Sequence, residues 1–459
     1  MTLKDKRGVE LSTGQRQSVE GYEEAVELML GYYGDPLARI DLTIAGEPDF
    51  VMGHCFRAGL IATTTDQALD PELRASAAAA ARLAGKANDR ERAHIAAVSA
   101  WADGDMAGAV RRYGAIAMND PGDIFAIQMA HLGDFFLGQS GMLRDRIAGI
   151  LPGWSEQRPG YGYILGMYAF GLEESADYGR AEESGRRALG LNRRDPWAVH
   201  AVAHVMEMQG RQRDGISWLT TRADDWSPDN AFAYHNWWHL ALYHLDLGET
   251  DTVLRLYDER IRPQPSKVPL EMVDASAMLW RLELRGVDVG GRWRELAESW
   301  KAAGEGGYYA FNDCHAMLSY VTAGMRQEAA ALLATMRAVA SGTSTNARMT
   351  REVGLPLAEA VIAFANGDHG RAVDLLLDVR LIAHRFGGSH AQRDLISLTL
   401  LESALRSGQG AVARALAAER TALKSTSPFN WRLAARAAEM TGDAARAEAA
   451  LGRADTLAA

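Results

Sequence analysis

Cysteine is almost absent from this sequence: its 459 residues include only Cys55 and Cys314. Two thiols cannot build a disulfide framework, and their scarcity suits a reducing compartment, so a cytoplasmic location is expected. Long apolar runs are missing too. No stretch approaches the roughly 18 to 20 apolar residues that span a bilayer. The opening MTLKDKRGVELSTGQRQS lacks the apolar core of a signal peptide. No membrane partner is expected. There is no long basic run and no basic stripe with interleaved aromatics, and the formal net charge is -10. On that ground no nucleic-acid partner is expected either. A serine-nucleophile motif, a phosphate loop and a dinucleotide fingerprint are also lacking. So is convincing strand-like alternation, because apolar residues recur at helical spacing almost throughout.

What is present is regular. The chain is 47% hydrophobic and 24% charged, which suits a folded protein rather than a disordered one. Glycines close amphipathic segments at Gly104, Gly138, Gly210, Gly248, Gly286, Gly324, Gly367, Gly408 and Gly442. Most gaps between them are 34, 38 or 41 to 43 residues, and the gap of 72 from Gly138 to Gly210 is two units of 36 with Ala176-Asp177 as the intervening turn. Stretches such as "GDMAGAVRRY", "GMRQEAAALL" and "GDHGRAVDLL" read as a turn followed by a second helix. Glycine supplies the left-handed residue that ends the first helix. This period and grammar resemble tetratricopeptide repeats. The expected fold is all-α, with helix-turn-helix repeats stacked into a superhelical solenoid.

Residues 1–87 are less regular and are expected to form a helical cap with degenerate repeats, leaving 88–459 as the repeat array. Helices are expected near Gly21–Tyr33, Asp49–Thr63 and Pro71–Gly85. The segment Arg260–Pro269, with three prolines, is the clearest long connection and a candidate cover for the groove. The polar stretch Ser341–Asn346 is a second loop.

The histidines mark a candidate site. His94, His131, His200, His204, His235, His239 and His315 lie 6, 7, 9, 10 or 13 residues before the glycine that closes their helix. Steps of three, four and seven share one helical face. Asp195-Pro196 opens a helix as N-cap and first turn, and in "WAVHAVAHVMEMQG" His200, His204 and Glu207 then fall on one face. In the next unit, "AYHNWWHLALYHLDLG", His235 and His239 repeat the pair at a displacement of 35 residues. Stacked repeats would set both pairs at nearly equal height. His200, His204, His235 and His239 are candidate ligands for a transition metal. His204, His239 and Glu207 are equally candidates for acid–base chemistry. Ala201 stands where a zinc-protease helix carries its glutamate, so that motif is excluded. Histidines buried without a ligand are the plain alternative.

His315 is expected to face the same groove, with Asp313 as a cap or outer carboxylate. Cys55 and Cys314 adjoin histidines, but adjacent helical residues diverge by about 100°, so both thiols read as packing residues. In "GGSHAQRD", Ser389 is a candidate N-cap, and His390, Arg393 and Asp394 follow on one face. A glycine-led helix start with an arginine can hold an anion. The plain reading is a capped helix with a surface Arg-Asp pair. His131 is a weaker candidate, and Trp238 or Trp237 could wall an apolar pocket.

The stretches "HAVAHVMEMQGR", "HNWWHLALYHLDLG", "LYDERI", "FNDCHAML" and "GGSHAQRD" resemble the tetratricopeptide repeat protein 38 family over roughly residues 120 to 430. The resemblance implies an all-helical repeat protein and carries no defined reaction with it. The functional expectation is a His-rich pocket in a concave groove that binds a small polar molecule, with hydrolase or proton-transfer chemistry as its catalytic form. A small-molecule ligand is favoured, and homo-oligomerisation is allowed. The competing expectation is a non-catalytic scaffold that binds a protein or peptide along the groove.

Overall fold

The computed structural model describes residues 2–459. The turn signals dictate its local structure. All nine marking glycines adopt positive φ, and Ala176 does the same at 62°. In Gly104-Asp105, Gly367-Asp368 and Gly442-Asp443 the glycine leaves one helix and the aspartate caps the next. The Asp105 carboxylate accepts from Gly108 N at 2.8 Å, Asp368 from Arg371 N at 3.2 Å and Asp443 from Arg446 N at 3.1 Å. Each cap is worth about 1 kcal/mol. The result is an all-α chain of tetratricopeptide-like helix-turn-helix repeats. Among the described residues the only paired strands are Leu3–Lys4 and Glu10–Leu11, which form a short antiparallel ribbon. No helix is long and apolar enough to cross a membrane among the described residues.

The chain divides into two compact units. The first holds residues up to Val202 with Ala223–Ala233 and Thr343–Asn346. Its helices run from Arg16–Gly31 through Tyr178–Leu191. One of them, Pro36–Gly46, was not anticipated; Asp35 caps it on Ala38 N at 2.9 Å. Phe56, Phe125, Phe170 and Trp226 are fully buried in this unit. The helices Ser140–Ile150 and Tyr161–Glu173 touch backbone to backbone. A Cβ on Gly171 would lie 2.4 Å from the Leu143 carbonyl oxygen.

The second unit holds Ala203–Arg222, Tyr234–Gly342 and Ala347–Ala459. The boundary falls inside the helix Pro196–Met208. Gly215 lets the helix Gln212–Thr220 approach the helix Ala233–Leu247, since a Cβ there would sit 2.3 Å from the Tyr243 ring. The Tyr243 hydroxyl donates to the Ala203 carbonyl at 2.6 Å. These contacts hold the helix segments that carry His204, Glu207 and His239. Deeper in the unit, Trp280 of the helix Pro269–Glu283 donates to Thr399 at 2.9 Å. A wide π-type turn, Tyr257–Ile261, continues the preceding helix, so the proline-rich connection shrinks to 262–268.

Candidate functional site

The histidine face assembles in the second unit. His204 and His239 lie with ring centroids 4.4 Å apart, and His235 and His239 with centroids 4.9 Å apart. One nitrogen from each of the three rings falls within 4.8 Å of the others. All three residues are buried. One carboxylate orients His235 and another lies close to His239. Asp274, on the helix Pro269–Glu283, meets His235 Nδ1 at 2.5 Å. Glu207 approaches His239 Nδ1 at 3.3 Å through one oxygen and receives Lys424 Nζ at 3.0 Å through the other. Trp238 walls the cluster, stacked 5.4 Å from His235 and edge-on 5.0 Å from His239. Burial, then the neighbouring His204 and His235, pull the His239 imidazole well below the usual histidine range, so it is neutral near pH 7. Desolvation pushes Glu207 up, but Lys424 and His204 outweigh it and keep the carboxylate charged.

Beside this cluster lies a cationic cavity that sequence reasoning missed. Glu207, Asp246, Asp394, Arg281, Arg285, Arg420 and Lys424 all line it, and a water centre can occupy about 50 Å³ of it. Asp394 binds Arg420 in bidentate fashion, at 2.6 and 3.1 Å. Asp246 accepts from Ser427 Oγ at 2.5 Å and from Gln212. The two remaining arginines lack such partners. Arg281 is buried, donates to the carbonyls of Ala277 at 3.0 Å and Ala391 at 2.7 Å, and lies 5.3 Å from the Trp238 ring centre. Arg285 is half-buried, donates to Leu245 O at 2.5 Å and stacks 3.4 Å above Phe429. Neither forms an ion pair with a carboxylate among the described residues. Desolvation pulls both guanidiniums below their ordinary pKa despite nearby acids. A guanidinium does not surrender its proton in a protein, so both side chains stay charged beside the cavity. The sequence held one signal for them. Arg281 and Arg285 stand four apart in "MLWRLELRG", where the flanking positions are largely apolar.

A wider cleft of about 290 Å³ shares Asp394 and Lys424 with the cavity. Arg380, His384, His390 and Arg393 supply its charge and polarity, and Met208, Ile396 and Leu423 its apolar wall. Ser389 caps the helix His390–Arg406 with Gln392 as its reciprocal partner. Asp394 turns to Arg420, while Arg393 donates to the Gly388 carbonyl.

His131 and His200 belong to the first unit. His200 packs against Phe170, Trp197 and Phe232 at centroid distances of 5.1 to 5.3 Å. His131 sits among Phe170 and Trp197, and burial drives its pKa down to about 3. In the second unit, His315 Nδ1 donates to Phe311 O, 2.8 Å away, and the residue lines a small apolar cavity with Phe386 and Leu357. Asp313 accepts from Gly307 N at 2.8 Å and so ties down the loop before its own helix. Cys55 and Cys314 are buried packing residues whose thiols burial pushes up.

No family model matches the chain. The chain is similar to a human IFIT1 dimer with PPP-AAAA, at 13% identity and a TM-score of 0.41, over 89% of this chain and 91% of that one. It is also similar to the P58(IPK) TPR domain, at 13% identity and a TM-score of 0.22, over 81% and 98% of the two chains. A third likeness is to the APC/C hetero-tetramer Cut9-Hcn1, at 10% identity and a TM-score of 0.29, over 96% and 93%. The expected partners need correction. Human IFIT1 is solved with PPP-AAAA, so neither the exclusion of nucleic acid nor the preference for a small-molecule ligand stands. The physical error was to read partners from a net charge of -10, which is a sum over the whole chain. Recognition depends on local charge, and Arg281, Arg285, Arg420 and Lys424 converge on one cavity.

Proposed function

We propose that this chain is a non-catalytic helical-repeat scaffold that binds a protein partner through an acidic segment. Membership of the tetratricopeptide repeat protein 38 family is part of the same reading, supported by "HNWWHLALYH" and "GGSHAQRD". The observation that carries it is the pair Arg281 and Arg285, two sequestered cations without carboxylate partners facing a cavity. A carboxylate entering there gains charge-assisted hydrogen bonds and removes a desolvation cost already present in the fold. The cavity has room for a carboxylate group and little more. The adjoining cleft, with its basic rim and its apolar wall of Met208, Ile396 and Leu423, suits the peptide that bears it.

The test is an arrayed library of acidic peptides, with 5′-triphosphorylated tetra-adenylate as the competing probe, read by fluorescence anisotropy. Binding of acidic peptides that weakens about tenfold or more in Arg281→Gln or Arg285→Gln, with helix content intact, is the expected result. Binding of the oligonucleotide alone would transfer the cavity to a nucleic-acid function. Binding of neither would overturn the reading.

A further inference from the structure

We infer that His204, His235 and His239 form a binding site for a divalent first-row transition metal, with zinc as the working ion, independent of the peptide reading. Three imidazole nitrogens lie within 4.8 Å of one another. Zinc holds imidazole nitrogen at about 2.0–2.1 Å. A set of three imidazoles with no thiolate suits zinc, cobalt, nickel or copper and disfavours calcium and magnesium, which take oxygen ligands.

The surrounding carboxylates make this more than a chance grouping. Asp274 on His235 Nδ1 selects the tautomer that carries its proton on Nδ1 and its lone pair on Nε2, and a second carboxylate, Glu207, lies 3.3 Å from His239 Nδ1. That is the outer arrangement which orients metal-bound histidines and raises their basicity. Asp274 and Glu207 place two carboxylates against the cluster, while Lys424 pairs with Glu207 and Arg281 lies 5.3 Å from the Trp238 ring centre. A dication held there would be sheltered from water, because all three histidines are buried and Trp238 walls them. Three protein ligands leave room for a water or a fourth donor.

The experiment uses the full chain without a histidine tag, stripped with a chelator and titrated with zinc by calorimetry and with cobalt by visible absorption. One ion per chain at micromolar affinity or tighter is expected. His204→Gln and His239→Gln should each lower the affinity at least 100-fold, and Asp274→Asn about 10- to 100-fold, with far-UV circular dichroism unchanged. Should a variant misfold, the wild-type cobalt form still decides. Its proton spectrum should show strongly shifted, solvent-exchangeable imidazole N–H resonances from at least two rings coordinated through Nε2. Absence of stoichiometric binding by wild type, absence of those resonances, or binding untouched in folded His204→Gln and His239→Gln would each overturn the site.

Discussion

Asp313 shows what burial does to a carboxylate with one partner. Its single hydrogen bond, from Gly307 N at 2.8 Å, does not offset desolvation, and its pKa rises to about 7. In the unfolded chain it titrates near about 3.9. Between those two values the folded protein holds a proton that the unfolded chain has lost. The stability from this group is thus complete below about pH 4 and disappears as pH rises through 7. Asp313→Asn should remove that slope, on the order of a few kcal/mol. Urea unfolding midpoints from pH 4.5 to 8 provide the check, and parallel curves for both proteins would refute it. Single residues were unevenly legible. His204 and His239 were visible because helical spacing and a 35-residue displacement are properties of the chain itself. Asp274 and Arg281 were not, because a lone charge in an apolar helix does not state what it faces.

Helices and turns were more legible than side-chain partners, since the signals are local. The positive φ at each marking glycine and at Ala176 is written in residue type and spacing. Pro36–Gly46 was missed although Asp35-Pro36 repeats the opening of Asp195-Pro196; it lacks the closing glycine turn and sits in the irregular region. Close helix packing gives a test at this level. Gly171→Ala would drive a methyl group into the Leu143 carbonyl at 2.4 Å, backbone that cannot rotate away. A loss of about 1–3 kcal/mol or more is expected. Gly149→Ala, on the neighbouring helix with nothing within 4 Å of its Cβ, should instead gain up to about 1 kcal/mol from helix propensity. Chemical denaturation of both variants measures the contrast, and equal effects would refute the close-packing account.

For the molecule as a whole, net charge and local charge pull in opposite directions. A protein at -10 repels an acidic peptide at long range, yet the Debye length at 0.15 M salt is about 8 Å. Beyond that distance the repulsion is screened, and the arginine cavity governs affinity. Acidic-peptide affinity should therefore fall about tenfold between 50 and 500 mM sodium chloride. An affinity that rose with salt would show that long-range repulsion dominates and that the cavity is not the site.

Helix-turn-helix order, repeat length and the shared face of the histidines could all be read in one dimension. Each arises from neighbours within a few residues, where steric limits on φ and the helical period act. The cationic cavity and the carboxylates behind the imidazoles could not. Asp274 meets His235 across 39 residues of chain, and Lys424 meets Glu207 across 217. Such pairs are selected by which repeats stack and by the cost of burying a charge alone, and that cost exists only once the helices have packed.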